Sequence, residues 1–361
     1  MSERSAWRFA FAAVAVVTIA SACVGSRLGP DGRATGTSAS GFDFGVIGDA
    51  PYILAEEAKV AAAISDMNRL ELAFVVHVGD IQADPRVPYR GGIPTCTDES
   101  LQRRMELFGA SRHPFILTPG DNDWTDCHLV KDRVVDPLER LAVLRKVFFP
   151  TPETLGQRRM SLTVQASDSR YANFVENRRW TYGGILFLTL HIVGSNNNRG
   201  RTPQMDAEYT ERNAANLAWL AQGIERARQE QARGVVILTQ ANPMFETTWS
   251  ATQVRRYLPG VTATIPEPRR PTGYDDFLAA LEREVLAFSR PVLLVHGDTH
   301  VFRVDKPLVR STDKVLVEHF TRVETFGYPD VHWVRITVDP GRADLFTIRP
   351  EMVSVRPGTA S

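Results

Sequence analysis

The chain contains 361 residues, which is long enough for one large domain with a buried core or for two ordinary domains. Lys and Arg number 42, and Asp and Glu also number 42, so the formal charges balance. This balance excludes the basic field of a nucleic-acid-binding surface and the acidity of a disordered acidic tail. A partner therefore has to be recognised by a local site, and we expect no nucleic-acid partner.

Residues 1–22 have the pattern of an export signal. Arg4 and Arg8 give a positive start, an apolar stretch runs from Phe9 to Ala20, and small residues follow it. About twelve apolar residues are too few to span a bilayer, which takes roughly 20. The pattern predicts export, and an uncleaved buried helix is the alternative interpretation.

Cys23 follows directly after three small residues, Ala20, Ser21 and Ala22. This arrangement resembles a bacterial lipoprotein signal, in which the cysteine is lipidated after cleavage. The same residues also suit ordinary cleavage, so a membrane-anchored lipoprotein, a periplasmic protein and a secreted protein all stay open. The only membrane contact expected is through a lipid on Cys23. Residues 23–41 are rich in Gly, Ser and Thr without apolar periodicity and are predicted to be a flexible linker.

Apolar runs of strand length alternate with amphipathic stretches from residue 42 onward. Strands are predicted at Phe42–Ile47, Phe74–Val78, Phe115–Thr118, Gly184–Val193, Val235–Thr239 and Pro291–Val295. Helices are predicted at Ala55–Leu70, Val134–Phe149, Asp206–Arg233 and Tyr274–Ser289. Strand, helix and strand in this rhythm indicate parallel pairing with right-handed crossovers in an α/β fold.

Three short segments near the end of the chain are predicted to be antiparallel strands that close the fold, at Val315–His319, His332–Val338 and Asp344–Ile348. The sequence has no internal repeat and no linker that would divide it after residue 42. We therefore predict a single domain over residues 42–350 and a C-terminal tail at residues 351–361.

Cys96 and Cys127 are an even pair if Cys23 carries a lipid. In an oxidising compartment such a pair is expected to form a disulfide. Each of the two lies in a loop that follows one of the aspartate motifs described next, so a bridge would brace the rim of a site. Two unpaired thiols are the alternative.

Aspartates follow four of the predicted strands, namely Asp49, Asp80, Asp121 and Asp298. Any one of them alone is typical of a turn whose aspartate caps the next helix. Because the carboxyl ends of strands line the ligand crevice of an open α/β sheet, we expect the four to converge at one edge of the sheet. Clustered carboxylates repel one another unless a cation neutralises them, and divalent metal ions prefer such oxygen ligands.

The order of these motifs resembles that of the calcineurin-like metallophosphoesterase superfamily. That family has the pattern Asp-x-His, Gly-Asp, Gly-Asn-His-Asp/Glu, a lone His and Gly-His-x-His. The resemblance covers roughly residues 42–303 and implies a four-layer α/β/β/α sandwich with a dinuclear metal site. The matching segments here are Gly48-Asp49, Gly79-Asp80, Gly120-Asp121-Asn122-Asp123 and Gly297-Asp298-Thr299-His300.

The resemblance assigns the predicted metal ligands residue by residue. It implies that Asp49 binds the first metal and that Asp80 bridges both metals. It also implies that Asp121 binds the second metal, at the position of the family's asparagine, and that His300 binds the first.

Besides Asp121, which replaces the family's asparagine, four positions depart from the family pattern. Pro51 stands at the position of the first motif's histidine, and Asn122 stands where the family has the histidine that protonates the leaving group. Asn242 lies near the position of the lone histidine, and Asp298 replaces the first histidine of the last block. Asn122 stays a catalytic candidate, and Asn242 and Asp298 are metal candidates. Exchange of imidazole for oxygen favours Mg, Mn or Ca over Zn, with one or two ions of Mn, Mg, Fe, Ca or Zn compatible with the set.

Two further histidines are candidates for the proton transfer that an asparagine cannot perform. His191 ends a predicted strand, and His128 follows Cys127. A histidine in an apolar strand is otherwise a satisfied core residue, which is the alternative for His191.

Three polar residues are candidates for substrate contact. Asn196 and Asn197 lie in a polar loop able to donate hydrogen bonds to phosphate oxygens. Arg303 follows the last motif and is able to bind a phosphate group. A solvated side chain, or an ion pair with Asp305, is the alternative for Arg303.

The sequence thus predicts an exported, metal-dependent phosphoesterase. Its substrate would be a small-molecule phosphomonoester or phosphodiester, hydrolysed by metal-activated water. The alternative is a lipoprotein that retains the fold and binds a metal or another ligand without turnover. The loss of expected histidines favours the alternative, whereas the retained aspartates favour the enzyme.

Overall fold

A computed structural model describes residues 41–87, 94–249 and 272–354 of the chain. The predicted signal at 1–22, the lipidation site Cys23 and the linker up to residue 40 lie outside the described residues, as do the last seven residues of the predicted tail. Export therefore stays a prediction. Within the described residues, no helix combines the length and the apolar character that a membrane crossing requires.

The strands are buried where the sequence has apolar runs. In chain order they are β1 (Phe42–Ile47), β2 (Leu72–His77), β3 (Phe115–Leu117), β4 (Thr163–Val164), β5 (Arg178–Tyr182), β6 (Ile185–Thr189), β7 (Gly234–Leu238), β8 (Val292–His296), β9 (Arg303–Asp305), β10 (Phe320–Glu324), β11 (Trp333–Val338) and β12 (Phe346–Glu351).

Five helices and one short turn connect these strands in the described part of the chain. They are α1 (Leu54–Asn68), α2 (Asp98–Gly109), α3 (Pro137–Phe148), the turn α4 (Gly194–Asn197), α5 (Pro203–Gln229) and α6 (Asp275–Phe288). Caps fix several of their starts: the side chains of Thr97, Asp136 and Thr202 each accept a hydrogen bond from a backbone N–H of the first turn of α2, α3 and α5 respectively.

The strands form two mixed sheets. The first has the order β12-β11-β1-β2-β3. In it β1, β2 and β3 are parallel to one another, and β11 pairs antiparallel with both β1 and β12. The second has the order β4-β5-β6-β7-β8-β10-β9, with a parallel centre from β6 to β10. The predicted α/β class is confirmed in this form, as two mixed sheets with helices.

Successive residues of the central strands contribute to different apolar clusters, as the period of two in a strand requires. Val76 of β2 and Val236 of β7 belong to one cluster that both sheets share. The neighbouring Val75 packs in a cluster with α1, α2 and α3. Val235 packs in a third cluster with α5 and α6. The continuous apolar runs of these strands follow from burial on both faces.

The strand predicted at Val315–His319 is wrong. Only an isolated bridge joins Leu316 to Val309 there, and Val315 is exposed. The strand begins later, at Phe320, and runs parallel to β8 instead of antiparallel. Arg322 and Glu324 of this strand are buried and form ion pairs with Asp305 and Arg303 respectively. The strand therefore lacks the apolar run by which the other strands were predicted.

Candidate metal centre

The four predicted aspartates follow strands of two different sheets. Asp49, Asp80 and Asp121 follow β1, β2 and β3 of the five-stranded sheet, whereas Asp298 follows β8 of the seven-stranded sheet. The expectation that all four lie at the edge of one sheet is therefore wrong. The two sheets still meet at this point, because the backbone N–H of Asp298 donates to both carboxylate oxygens of Asp49, at 3.1 and 3.1 Å.

The backbone at this junction adopts a conformation that side chains disfavour. Four of the predicted ligands have positive φ values, 50° at Asp49, 55° at Asp80, 87° at Asp298 and 64° at His300. A non-glycine residue in this region costs roughly 1–3 kcal/mol, and such residues concentrate at functional sites.

Asp80 is held by two hydrogen bonds. The hydroxyl of Tyr52 donates to its Oδ2 at 2.9 Å, and the backbone N–H of Asn122 donates to its Oδ1 at 3.0 Å. The same Tyr52 oxygen accepts from Asn122 Nδ2 at 2.9 Å and lies 3.2 Å from His300 Nε2. Tyr52 thus links three predicted site residues, and the sequence analysis did not select it. No local motif marks Tyr52, because its three partners lie 28, 70 and 248 positions away along the chain.

His300 directs its Nε2 atom toward the Tyr52 hydroxyl and Asp49. Its Nδ1 lies 2.8 Å from the carbonyl oxygen of Tyr328, which can only accept, so Nδ1 carries the proton. Its Nε2 lies 3.9 Å from Asp49 Oδ1. Burial lowers the pKa of His300, which favours the neutral imidazole that a metal ion binds.

Asp121 is packed against the backbone of Gly194. A Cβ atom at that position would lie 2.6 Å from both carboxylate oxygens of Asp121, so only glycine permits this approach. The backbone N–H of Gly194 donates to Gln240 Oε1 at 2.7 Å, which fixes the loop beside the carboxylate.

The carboxyl groups destabilise one another's charge. Burial raises the pKa values of Asp49, Asp80 and Asp121 well above the ordinary range, and the charges of neighbouring aspartates raise them further. Burial likewise raises the pKa of Asp298 to about 6 and that of Asp123 to about 7. No Lys or Arg of the described residues forms an ion pair with the four strand-end aspartates.

Asp123 has a different task from its neighbours. Its carboxylate accepts hydrogen bonds from the backbone N–H groups of Asp80, Ile81 and Gly120, at 3.2, 2.8 and 2.7 Å. It therefore clamps the loop after β2 to the loop after β3. With its oxygens committed to the backbone, Asp123 serves the site as a positioning residue.

The chemistry of this donor set fits a hard divalent cation. Buried carboxylates repel one another unless a cation neutralises them, and a neutral imidazole can donate its lone pair to a metal ion. The ligand shell is not closed as the side chains stand. Among the described residues, no three side chains of His, Cys, Asp or Glu are placed so that they would share one ion.

Comparison with known proteins identifies a likeness at the level of the fold. No protein-family model and no curated protein matches the chain. A solved structure of PhoD superposes on 85% of this chain with a TM-score of 0.52 and 14% sequence identity. The fold is similar to that of PhoD. The chain spans 65% of that structure's length.

Two of the predicted catalytic residues have hydrogen-bond partners other than the four aspartates. His191 is fully buried, its Nε2 accepts from Trp124 Nε1 at 3.1 Å, and its Nδ1 lies 2.7 Å from Glu176. Both ring nitrogens are engaged, which favours a structural role. His128 is exposed, and its Nδ1 contacts the carbonyl of Thr125 and the guanidinium of Arg201.

The predicted substrate-binding amides also have partners within the protein. Asn197 is buried, donates to the carbonyl of Gly273 at 3.0 Å and accepts from Arg212 at 2.6 Å. Asn196 is exposed, but its side chain bonds to Arg199 and Gly273. These contacts stabilise the left-handed turn α4 and leave neither amide free as the side chains stand.

Arg303 and Asn242 are committed in a similar way. Arg303 donates to Glu324 at 2.6 Å and lies 3.5 Å from Glu246, so it is not a free cation for phosphate. The side-chain oxygen of Asn242 accepts from the backbone N–H of Met244 at 3.0 Å. Its backbone N–H, however, donates to Asp298 Oδ2 at 2.8 Å, so Asn242 orients a predicted ligand through its main chain.

Glu324 is a second residue that the sequence analysis missed. Its Oε1 accepts from the backbone N–H of Thr299 at 2.9 Å and also from the Thr299 hydroxyl. Because Thr299 lies between Asp298 and His300, this carboxylate fixes the loop that carries both predicted ligands. No local motif marks Glu324, since its partner lies 25 positions away.

The predicted disulfide between Cys96 and Cys127 is confirmed. It joins the loop before α2 to the turn that follows Asp121, with Cα atoms 5.7 Å apart. Gln82 continues this brace, because its Oε1 accepts from the N–H of Cys96 at 3.0 Å and its Nε2 donates to the carbonyl of Asn122 at 3.1 Å.

Proposed function

We propose that this protein is a metal-dependent phosphoesterase that hydrolyses a small phosphomonoester or phosphodiester. One observation carries the proposal, namely that aspartates from two sheets are buried against one another without a Lys or Arg partner among the described residues. Such an arrangement is costly unless a cation is bound. The likeness to PhoD in fold supports the same activity class.

We also propose the finer architecture, a four-layer α/β/β/α sandwich of the metallophosphoesterase type. Its support is the set of three apolar clusters, one shared by the two sheets and one between each sheet and its helices. In that architecture the strand ends of both sheets open on the same side, as the contact between Asp49 and Asp298 requires.

The residues that would hold one or two divalent ions are Asp49, Asp80, Asp121, Asp298 and His300. The ion supplies positive charge for the phosphoryl oxygens and lowers the pKa of a water molecule. The chain's own groups orient these ligands: Tyr52 keeps its proton on the side of Asp80, and Asn122 holds the Tyr52 hydroxyl in place. Oxygen-rich ligands favour Mg, Mn or Ca.

An exported location, as a lipoprotein, a periplasmic protein or a secreted protein, is part of the proposal. The disulfide between Cys96 and Cys127 supports it, because such bonds persist in oxidising compartments and are rare in the cytosol. A mass measurement of the mature N-terminus separates the cases, since an acylated Cys23 is heavier than a simply cleaved one.

The test is metal-dependent turnover. The purified protein is stripped with a chelator, supplied separately with Mn, Mg, Ca or Zn, and assayed on aryl phosphomonoesters and phosphodiesters. We expect turnover that depends on the metal, is abolished in Asp80→Asn and is kept in Asp66→Asn, whose side chain pairs with Arg69 at the surface. Loss of turnover in both variants would point to a general defect instead of a ligand role.

A non-catalytic metal- or ligand-binding protein is the second candidate. It is favoured by Asn122, which stands where a proton donor is expected and binds Tyr52 instead. Metal binding by wild type and not by Asp80→Asn, with no turnover on a broad panel of phosphate esters, would support this candidate over the enzyme.

A further inference from the structure

A cavity of about 300 Å³ lies beside the aspartate cluster. Tyr52 belongs to both, because it lines the cavity while its hydroxyl contacts Asp80 and His300. We propose that this cavity binds the leaving group of the substrate, and that Lys131 selects a leaving group that carries a negative charge of its own. The proposal rests on the proposed phosphoesterase function and names its substrate class.

The walls of the cavity come from the loops that carry the cluster. Ala83 and Pro85 follow Asp80 along the chain, and Val130 and Lys131 follow the turn after Asp121. The bond between Cys96 and Cys127 ties the wall at Pro94 and Thr95 to the wall at Val130. A group in the cavity would therefore sit next to Tyr52 and Asp80, between two loops that the disulfide joins.

The lining selects for an apolar body. Ala83, Pro85, Val87, Pro94 and Val130 form its apolar part. Ligand pockets of this kind are mostly apolar with a few polar groups that fix orientation, and about 300 Å³ is at the small end of their range. One substituted ring or a short alkyl chain is the size of group that fits.

Lys131 is the one cation of this lining without a partner among the described residues. Arg133 is committed, because it donates to the carbonyl of Thr95 at 2.8 Å and pairs with Asp132 at 3.2 Å. Lys131 is exposed and has no hydrogen bond or ion pair within the described residues. An anionic substituent on the leaving group would give Lys131 a partner within the cavity.

This proposal implies hydrolysis of a phosphate ester whose leaving group carries an anionic substituent. The oxygen of water forms a bond to phosphorus, and the bond between phosphorus and the ester oxygen breaks. One proton of that water goes to the leaving group, which departs as an alcohol or phenol, and the other stays with the phosphate product. No oxidant, reductant or second substrate is required.

The test compares two aryl phosphates of equal size, one with a ring carboxylate and one with a ring carboxamide. For wild type we expect a KM about fivefold lower for the carboxylate, as about 1 kcal/mol from an exposed ion pair allows. Lys131→Met should abolish this preference by raising the KM for the carboxylate about fivefold, to that for the carboxamide. Lys146→Met, an exposed lysine on α3, is the matched control and should keep the preference.

The outcomes separate this proposal from the function on which it rests. Equal KM values for the two esters in wild type, with turnover intact, would overturn the role of Lys131 and leave the phosphoesterase standing. If neither ester is hydrolysed, the two phenols that correspond to the leaving groups of these esters, one with a ring carboxylate and one with a ring carboxamide, are titrated into the protein by calorimetry. Binding of the carboxylate that Lys131→Met weakens would then support the cavity without the enzyme, and absence of binding would refute it. A melting temperature for Lys131→Met equal to that of wild type establishes that the variant is folded.

Discussion

The hydroxyl of Tyr52 donates a hydrogen bond of 2.9 Å to Asp80, across 28 positions of the chain. The same oxygen accepts from Asn122 and contacts His300, so one phenol holds together three loops. Tyr52 also stacks on Tyr328, with ring centroids 5.5 Å apart, and only 5% of its surface is exposed. These contacts make Tyr52 a positioning residue of the site, although it belongs to no metal-binding motif.

Replacing Tyr52 by Phe tests the hydroxyl alone. The ring and its stacking stay, but Asp80 and Asn122 lose a buried partner. We expect the free energy of unfolding of the metal-free protein to fall by about 1–3 kcal/mol, as for a buried group left unsatisfied. Urea unfolding measures it. Tyr182→Phe is the matched control, since Tyr182 is 40% exposed, and it should change stability by less than about 0.5 kcal/mol. An equal change in both variants would refute a special role for the Tyr52 hydroxyl.

Asp80→Asn should have opposite effects on stability and on metal response. The change removes a carboxyl group whose charged form is destabilised by burial and by neighbouring aspartates, and the one oxygen of asparagine can still accept from either the Tyr52 hydroxyl or the backbone N–H of Asn122. With chelator at neutral pH, we therefore expect the variant to melt at a higher temperature than wild type. Excess Mn should raise the melting temperature of wild type and not that of the variant, because binding to the folded state alone stabilises it. Calorimetric scans with and without metal measure both effects, and a lower melting temperature for the metal-free variant would contradict the charge argument.

Asp123→Ala separates the clamp from the ligands. Three backbone N–H groups lose their acceptor in this variant, so we expect destabilisation of about 2–4 kcal/mol whether or not metal is present. The increase in stability on adding Mn should persist in the variant, because Asp123 is not a predicted ligand. Urea unfolding with and without Mn gives both numbers. A variant that keeps its stability but loses the metal response would identify Asp123 as a ligand instead.

Much of the fold could be predicted because buried strands carry continuous apolar runs. β1, β2, β7 and β8 lie where the runs predicted them. The helix α2 was missed because its Arg104 is buried, with partners at Glu57 and the carbonyl of Ile81. Such long-range charge pairing removes the apolar signal on which a prediction from local pattern depends.

The candidate site was predictable where a local motif marks it and not elsewhere. Gly-Asp after a strand identified Asp49 and Asp298, but their contact spans 249 positions and their sheets could not be assigned. Tyr52 and Glu324 have no motif, because each acts through a partner that only the fold brings near. His191 was selected for its polarity, and the fold uses that polarity to bind Glu176 inside the core.

Raised carboxyl pKa values predict a loss of stability at alkaline pH when metal is absent. The folded state holds protons on these carboxyls that the unfolded chain has released, so their contribution is complete below about pH 4 and falls as the pH rises through the folded pKa values. Those values are about 7 for Asp123 and well above the ordinary range for Asp49, Asp80 and Asp121.

The window for this measurement lies above the range of histidine. Burial lowers the pKa of His77 to about 4 and that of His296 to about 3, so their opposing contribution is complete by about pH 7. As the pH rises above about 7 we expect the melting temperature in chelator to fall, and to fall less in Asp80→Asn. Excess Mn or Ca should suppress the fall. A melting temperature in chelator that stays constant above about pH 7 would show that the pKa values of these carboxyls are not raised in the folded state as their burial implies.

The disulfide should contribute substantially to the free energy of unfolding. Cys96 and Cys127 are 31 positions apart, and closing a loop of that length stabilises a protein by about 3–4 kcal/mol in the chain-entropy description. We expect the double variant Cys96→Ser, Cys127→Ser to lose about that much free energy of unfolding by urea titration. Reduction of wild type should have the same effect, and the double variant should be insensitive to reductant. Because the bridge ties together two walls of the cavity beside Tyr52, the double variant should also raise KM more than it lowers kcat. A stability loss without any change in KM would mean that the bridge supports the fold alone and that Gln82, bonded to Cys96 and Asn122, is sufficient to keep the rim of the site in place.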